Sequence, residues 1–255
     1  ADIAPLLGVT APLPISTTAK VTISGERLTF DNLDTSLAGS RVRGTLVVTR
    51  GEVAGLDGKI DADSIDLAAL TGVALGTRGH PATEPLSRGW VQGWRGQVAF
   101  RSQRGELPGV GELQPVSGVL RGDGQSIVLD DLKAGFGGGQ LTATMEGRQT
   151  PDGLAVSARA QLAGVSGAAL RYRHLAMPEG RVGLKATLMS RGRSLAALSG
   201  GLSGNGVVSL ENARIAGLNP GAFDAAVRAG DLDQVTDERK VRALVDPALG
   251  QGVLQ

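Results

Sequence analysis

The chain contains the sequence LTFDNL at residues 28–33 and a related sequence, IVLDDL, at residues 127–132. In both copies apolar and polar residues alternate with the period of a β-strand. The alternation slips by one residue at Asp31-Asn32 and at Asp130-Asp131, where two polar residues stand between successive apolar ones. A β-bulge produces such a slip and bends the strand that contains it. The duplication therefore predicts a repeat protein built from bulged strands.

Each copy runs on into a turn that contains glycine, Gly39-Ser40 in the first and Gly138-Gly139 in the second. If each is a two-residue turn of the primed type, the residues on either side pair across an antiparallel hairpin. Except for Thr35 with Gly44, these pairs are apolar, and their flanking residues are mostly polar, so each hairpin is expected to have one apolar and one solvated face. The apolar pairs are Leu37 with Val42, Leu33 with Leu46, Phe136 with Leu141, Ala134 with Ala143 and Leu132 with Met145.

The apolar face is the candidate site, and two interpretations of it remain open. It is either a trough that accepts acyl chains, in which each buried methylene contributes about 0.8 kcal/mol, or a core that packs against a second sheet or the C-terminal helices. A third alternating strand, from residue 182 to residue 188, is expected to extend it. The predicted groove residues are Leu33, Leu37, Val42, Leu46, Leu132, Phe136, Leu141, Met145, Val182, Leu184 and Leu188.

Composition favours an extended β-protein over a compact enzyme. The chain has 255 residues, of which 39 are glycine and few are aromatic (4 Phe, 2 Trp and 1 Tyr), so a thin core is expected. The net charge of +1 is close to neutral and the basic residues are scattered, which argues against nucleic-acid binding. The chain contains no cysteine, which excludes disulfides and thiolate chemistry, and no run of about 20 apolar residues that would span a bilayer.

The pattern along the chain predicts four parts: a first β-repeat module at residues 1–75, a linker or excursion at 76–96, a second β-repeat region at 97–218, and a helical segment at 219–255 that ends in a truncated strand. Short helices are expected at residues 194–198, 219–229 and 237–245. The overall fold class is therefore mainly β: an elongated, curved antiparallel sheet of repeated hairpins with an apolar inner face, plus short helices, the largest of them near the C-terminus. The unfinished strand at the end suggests a fragment of a longer protein.

No catalytic residues, metal ligands or cofactor are predicted. The two histidines, His80 and His174, are isolated and belong to no metal-ligand spacing or nucleophile motif. The glycine-rich segment 200–206 lacks the lysine and hydroxyl residue that end a phosphate-binding loop. The adjacent carboxylates of Asp130 and Asp131 alternate across a strand, which places them on different faces. We therefore expect a protein that is not an enzyme.

The segments 194–206 and 208–218, together with the Leu129–Gly139 hairpin, resemble the C-terminal region of AsmA-like proteins. The resemblance extends over residues 20–245, and the chain departs from the family at Asn212, where glycine commonly follows the acidic residue. The resemblance implies a periplasmic protein, anchored in the inner membrane by a segment absent from this chain, with a long twisted sheet curled into an apolar groove.

The resemblance further implies a role in phospholipid transport to the outer membrane, or in outer-membrane assembly. The implied partners are phospholipid acyl chains, the membrane through segments outside this chain, and envelope proteins, with no nucleic acid. An alternative remains from a different class: an extracellular β-repeat adhesin or structural scaffold, in which the apolar face is a closed core that binds no lipid. Bound phospholipid in the purified chain would distinguish the two.

Overall fold

The computed structural model describes residues 15–37, 40–67, 83–86, 93–107, 111–170, 179–216 and 253–254. These residues form one open, curved, mostly antiparallel sheet. The strands are β1 (Ile15–Ser24), β2 (Arg27–Leu37), β3 (Ser40–Thr49), β4 (Ala54–Asp66), β5 (Trp94–Leu107), β6 (Gly111–Leu113), β7 (Val116–Asp123), β8 (Ser126–Phe136), β9 (Gly139–Thr150), β10 (Gly153–Ser166), β11 (Glu179–Gly192), β12 (Ser203–Ala216) and β13 (Val253–Leu254).

The strands lie side by side in chain order, as expected for successive hairpins. Two pairings differ from a simple series of hairpins. β4 and β5 pair in parallel, and the short strand β6 pairs only with β5, so that β7 is the next neighbour of β5 in the sheet. The prediction of a mainly β, curved antiparallel sheet is confirmed. The division into two modules stays a prediction; β4 and β5, which it assigns to different modules, are neighbours in one sheet.

The α-helix α1 (Leu195–Gly200) connects β11 to β12 and confirms the helix predicted at residues 194–198. Its N-terminus is capped by Ser194, whose side-chain oxygen accepts a hydrogen bond from the backbone N–H of Ala197 at 3.2 Å. The helices predicted at 219–229 and 237–245 lie outside the described residues, as do His80 and His174. The linker or excursion predicted at 76–96 stays a prediction; β5 begins at Trp94, within the last residues of that range.

The two predicted bulges are confirmed. The pairing register shifts between Phe30 and Leu33 and between Leu129 and Leu132. Within these shifts Asn32 and Asp131 have φ angles of 51° and 50°, a left-handed conformation that asparagine and aspartate tolerate better than other non-glycine residues. Two further bulges were missed. One contains Asn212, which has a φ of 48° and follows Leu210-Glu211 as Asp131 follows Leu129-Asp130. The other lies on β10, where the register with β11 shifts between Leu162 and Val165.

The bulge conformation predicts a contrast between two substitutions of Asn32. A left-handed residue with a Cβ but no side-chain amide is disfavoured, so Asn32→Ala is expected to lower the free energy of unfolding by about 1 kcal/mol. Glycine adopts the same φ without strain, so Asn32→Gly is expected to be neutral or slightly stabilising. Urea denaturation followed by circular dichroism measures both. Equal destabilisation by alanine and glycine would show that the amide side chain, and not the backbone conformation, matters.

The predicted hairpin registers are wrong by two residues. Phe136 pairs with Gly139 and Leu37 pairs with Ser40, in place of Leu141 and Val42. In the second hairpin the turn residues are Gly137 and Gly138, whose φ angles of 52° and 77° are those of a type I′ turn. A shift of two residues preserves the alternation of side chains, so Phe136 and Leu141 still lie on the same face.

The buried side chains form two clusters on one face of the sheet. The larger contains Phe100, Val116, Leu132, Phe136, Leu141 and Val165, with Leu113 from β6. The smaller contains Trp94, Ile127 and Leu154, with Leu86 and Leu198 packed against it. The core is therefore a single layer of side chains along the sheet, covered at places by short segments.

Candidate apolar binding face

The register of neighbouring strands assigns every position to one of two faces, which we name the apolar face, carrying Leu132 and Leu141, and the polar face, carrying Lys133 and Thr142. Across each antiparallel or parallel pair, partnered residues point to the same side of the sheet. Tracing the partners from strand to strand therefore gives rows that cross the whole sheet. These rows, and not single hairpins, define the candidate site.

One row on the apolar face crosses from β1 to β12 without a polar side chain. Every member is aliphatic, aromatic, methionine or glycine. The row is Val21, Phe30, Leu46, Gly58, Val98, Leu120, Leu129, Met145, Ala158, Leu188 and Gly204. With strands about 4.8 Å apart, it extends for about 48 Å along the curve of the sheet.

A second row lies beyond the bulges on the same face. It is Thr17, Thr35, Val42, Ala62, Ser102, Val116, Ala134, Leu141, Leu162, Leu184 and Val208. Its few hydroxyl groups are satisfied locally: the hydroxyl groups of Thr17 and Thr35 are 2.9 Å apart and hydrogen-bonded, and that of Ser102 donates to the carbonyl oxygen of Arg104 at 2.7 Å. Each of these hydroxyl groups thus takes part in a local hydrogen bond.

The polar face carries charges that alternate in sign from β2 to β5. One row is Thr18, Asp34, Arg43, Asp61, Arg101, Ser117, Lys133, Thr142, Gln161, Lys185 and Val207. Asp34 also accepts a hydrogen bond from Nε of Arg41 at 2.8 Å, and this guanidinium lowers the pKa of the Asp34 carboxyl group. Alternating charges on neighbouring strands attract each other and keep this face in water.

Glycines keep the apolar face shallow where its aromatic side chains lie. A Cβ placed at Gly118 would be 2.8 Å from the ring of Phe100, and one at Gly122 would be 2.8 Å from the ring of Trp94. Each ring thus occupies the space that a side chain at the glycine of the next strand would take. Any larger residue there would lift the ring away from the sheet.

The predicted groove residues lie together on the apolar face, but they differ in burial. Leu132, Phe136, Leu141 and Val182 are buried. Leu33, Val42, Leu46, Met145 and Leu184 are half-buried, and Leu188 is 40% exposed. The backbone of Leu37 is paired with Ser40, but its side chain lies outside the described set.

The apolar face remains exposed at both lateral edges of the sheet. On β1, Val21 and Ile23 are exposed, and on β12 so are Val208 and Leu210. These residues were missed by sequence reasoning, although their strands alternate in the same way as the ones that were found. Their place on the apolar face becomes clear only when the pairing of each strand with the next is followed across the whole sheet.

The described residues contain no group of three or more histidine, cysteine or acidic side chains placed to hold a metal ion. Asp130 and Asp131, adjacent in sequence, are separately engaged: Asp130 pairs with Arg121 at 3.5 Å and Asp131 with Lys133 at 2.8 Å. No helix in the described part of the chain is long and apolar enough to cross a membrane.

Comparison of the chain with models of protein families, with curated protein sequences and with solved structures finds no match in any of the three. The fold and the site therefore define a class and not a family. The class is an open, curved, mostly antiparallel β-sheet with one face that carries an unbroken apolar row from β1 to β12 and an opposite face that is mainly polar.

Proposed function

We propose that this chain is the periplasmic part of an AsmA-like envelope protein and that its apolar face carries phospholipid acyl chains. The observation that supports the proposal is the row from Val21 to Gly204, which crosses eleven strands with no polar side chain. A hydrocarbon chain lying along this row meets no unsatisfied hydrogen-bonding side chain. Each methylene group that it removes from water contributes about 0.8 kcal/mol.

The exposed edges of the apolar face favour a protein that transfers phospholipid over one that holds it permanently. Val21 and Ile23 on β1, and Val208 and Leu210 on β12, leave apolar surface in contact with solvent at the two ends of the rows. An acyl chain can reach the buried centre from either edge while its headgroup stays in water. In this proposal the protein performs no catalytic step, is held at the inner membrane, and delivers phospholipid to the outer membrane or assists its assembly.

A second candidate function is favoured by the burial at the centre of the sheet. Leu113 and Val165 are fully buried, and Val116 is almost so. Side chains that are already covered make a closed core, as in an adhesin or structural scaffold. The two functions differ in whether the half-buried and exposed parts of the apolar face bind lipid.

Two adjacent valines of β12 provide a matched test. Val208 lies on the apolar face and is 63% exposed, whereas Val207 lies on the polar face and is 68% exposed. Since both are exposed, neither Val208→Asp nor Val207→Asp is expected to change the melting temperature appreciably. The carboxylate at 208 would stand beside bound hydrocarbon, so co-purified phospholipid is expected to fall about fivefold in this variant alone.

The measurement is the molar ratio of phospholipid to protein after purification, determined by solvent extraction and mass spectrometry. Parent protein and Val207→Asp should carry the same amount. If none of the three proteins carries phospholipid, the scaffold function is supported. If both variants lose lipid equally, the loss does not depend on the face and the assigned groove is wrong.

A further inference from the structure

The strand β12 forms one lateral edge of the sheet, and most of that edge is open. Among the described residues its outer side is paired only at Ile215 and Ala216, with the short strand β13. Residues 203–212 of β12 are exposed throughout. An open strand edge presents unpaired backbone N–H and C=O groups, which are a template for pairing with a further strand.

The opposite edge strand, β1, is protected against such pairing, whereas β12 is not. β1 carries the exposed Lys20 near its middle, and a lysine on an edge strand hinders the addition of another strand. Between residues 203 and 210, β12 contains no charged residue and no proline. It also exposes aliphatic side chains on both faces, since Val207 on the polar face is 68% exposed and Val208 on the apolar face is 63% exposed. β12 is therefore the edge that is expected to pair.

We propose that two copies of this chain associate through β12, whose strands pair antiparallel about a two-fold axis perpendicular to the sheet. Two-fold dimers are the commonest soluble oligomers, and such an axis makes the two strands antiparallel. β12 already pairs in this sense with β11 and with β13. Because partnered residues point to the same side, the apolar faces of the two copies become one surface. The inference goes beyond the proposed function, since each copy keeps its own apolar face whether or not it carries lipid.

The pairing register follows from the residues on the apolar face of β12. Since paired residues share a face, the two-fold axis passes through a residue and not between two residues. An axis at Val207 sets Gly206 opposite Val208 of the second copy, on the apolar face. The same axis sets Gly204 opposite Leu210 of the second copy. Each of these exposed aliphatic side chains then lies beside a glycine, which has no side chain to obstruct it.

Two features end the pairing at Glu211. A bulge that contains Asn212 shifts the register with β11, and β13 occupies the outer side of the strand beyond it. An axis at Val207 pairs residues 203–211 with the same residues of the second copy, so the pairing stops before both. It also sets Glu211 opposite Ser203, so no like charges face each other across the axis.

Cysteine substitution tests this register, because the chain contains no cysteine of its own. Directly opposed Cα atoms of an antiparallel pair lie about 4.5 to 5.5 Å apart, a separation that a disulfide spans. Oxidation of Val207→Cys with copper phenanthroline is therefore expected to give a disulfide-linked dimer on non-reducing gels. The control is Ser203→Cys on the same edge, because residue 203 of the two copies would lie about 27 Å apart. It is expected to give about tenfold less linked dimer.

Sedimentation velocity measures the association without a new covalent bond. The parent chain is expected to shift from monomer to dimer as its concentration is raised. Val207→Lys sets two cations opposite each other across the axis, so its dissociation constant is expected to rise about tenfold. The matched control is Ile23→Lys on β1, since Ile23 is 70% exposed and lies on the protected edge. This variant is expected to associate like the parent, and the melting temperature checks that both variants fold.

The outcomes decide the proposal without reference to lipid. A chain that stays monomeric at every concentration overturns it. So does a dimer that Val207→Lys leaves intact, or that Ile23→Lys weakens equally, because such a dimer uses another surface. Equal cross-linking of Ser203→Cys and Val207→Cys also overturns it, since collision and not pairing would then form the bond. If Val207→Lys does not fold, the comparison of the two cysteine variants decides alone. Bound phospholipid enters none of these measurements, so the proposed function is tested separately.

Discussion

Replacing Leu141 with aspartate is expected to unfold the sheet, with a loss of about 5 kcal/mol in the free energy of unfolding, comparable to the whole stability of many domains. Leu141 is 7% exposed and belongs to the larger buried cluster together with Leu132 and Phe136. The substitution removes a large apolar side chain and places a carboxylate among hydrocarbon groups with no cation beside it. Urea denaturation measured by circular dichroism and by tryptophan fluorescence would give the change.

The matched control for this prediction is Thr142→Asp. Thr142 is the next residue along β9, on the polar face, where it is the cross-strand partner of Lys133. A carboxylate there gains a cationic neighbour and stays hydrated, so the change in stability is expected to be within about 0.5 kcal/mol. If Leu141→Asp were tolerated as well as Thr142→Asp, the apolar face around β9 would be open to water and the buried cluster would not be a core.

Replacing Gly135 with alanine is expected to cost more than about 2 kcal/mol, the effect of forcing an extra carbon into closely packed backbone. A Cβ at this position would lie 2.0 Å from the carbonyl oxygen of Gln114. The same residue accepts a 2.8 Å hydrogen bond from the N–H of Gln114 and donates a 3.2 Å bond to the carbonyl oxygen of Pro115, so the two segments cannot separate without losing both.

Gly200 provides the control for the glycine substitution. It ends α1, and no atom lies within 4 Å of a Cβ placed there. Alanine has the higher helix propensity, so Gly200→Ala is expected to be neutral or to stabilise by up to about 1 kcal/mol. Melting temperatures of the two variants measured side by side test the contrast. A similar value for both would show that the segment around Gln114 moves aside at little cost.

Alternation along the sequence was enough to assign residues of the candidate site to one face of the sheet. Leu132, Phe136, Leu141 and Val182 were placed on one face from alternation alone, and all are buried there. The pairing partners derived from the same turn were wrong, yet the faces were right. A two-residue change of register leaves every side chain on its own side of a strand, so face assignment is insensitive to this error.

The position of the second turn was decided by contacts with a distant strand. Gly137, Gly138 and Gly139 all tolerate positive φ. Local preference therefore does not distinguish the observed turn at Gly137-Gly138 from the predicted one at Gly138-Gly139. A Cβ at Gly139 would lie 2.3 Å from the carbonyl oxygen of Ala163 on β10, which shows that this glycine belongs in the ladder beside a later strand. No local sequence signal reports such an approach.

The sequence by itself determined the strand period, the two bulges of residues 28–33 and 127–132, and which residues share a face, because all three depend only on the order of apolar and polar side chains along one strand. Only the tertiary structure decided the parallel pairing of β4 with β5, the exposure of Leu188 and Val208 against the burial of Leu141, and the enclosure of the Trp94 indole. Identical alternation gives a buried or an exposed residue according to which side chains pack over it: Leu141 belongs to the larger buried cluster, whereas Leu188 and Val208 belong to neither cluster. Membership of a cluster is a property of the assembled sheet, since it depends on contacts between residues far apart in the chain.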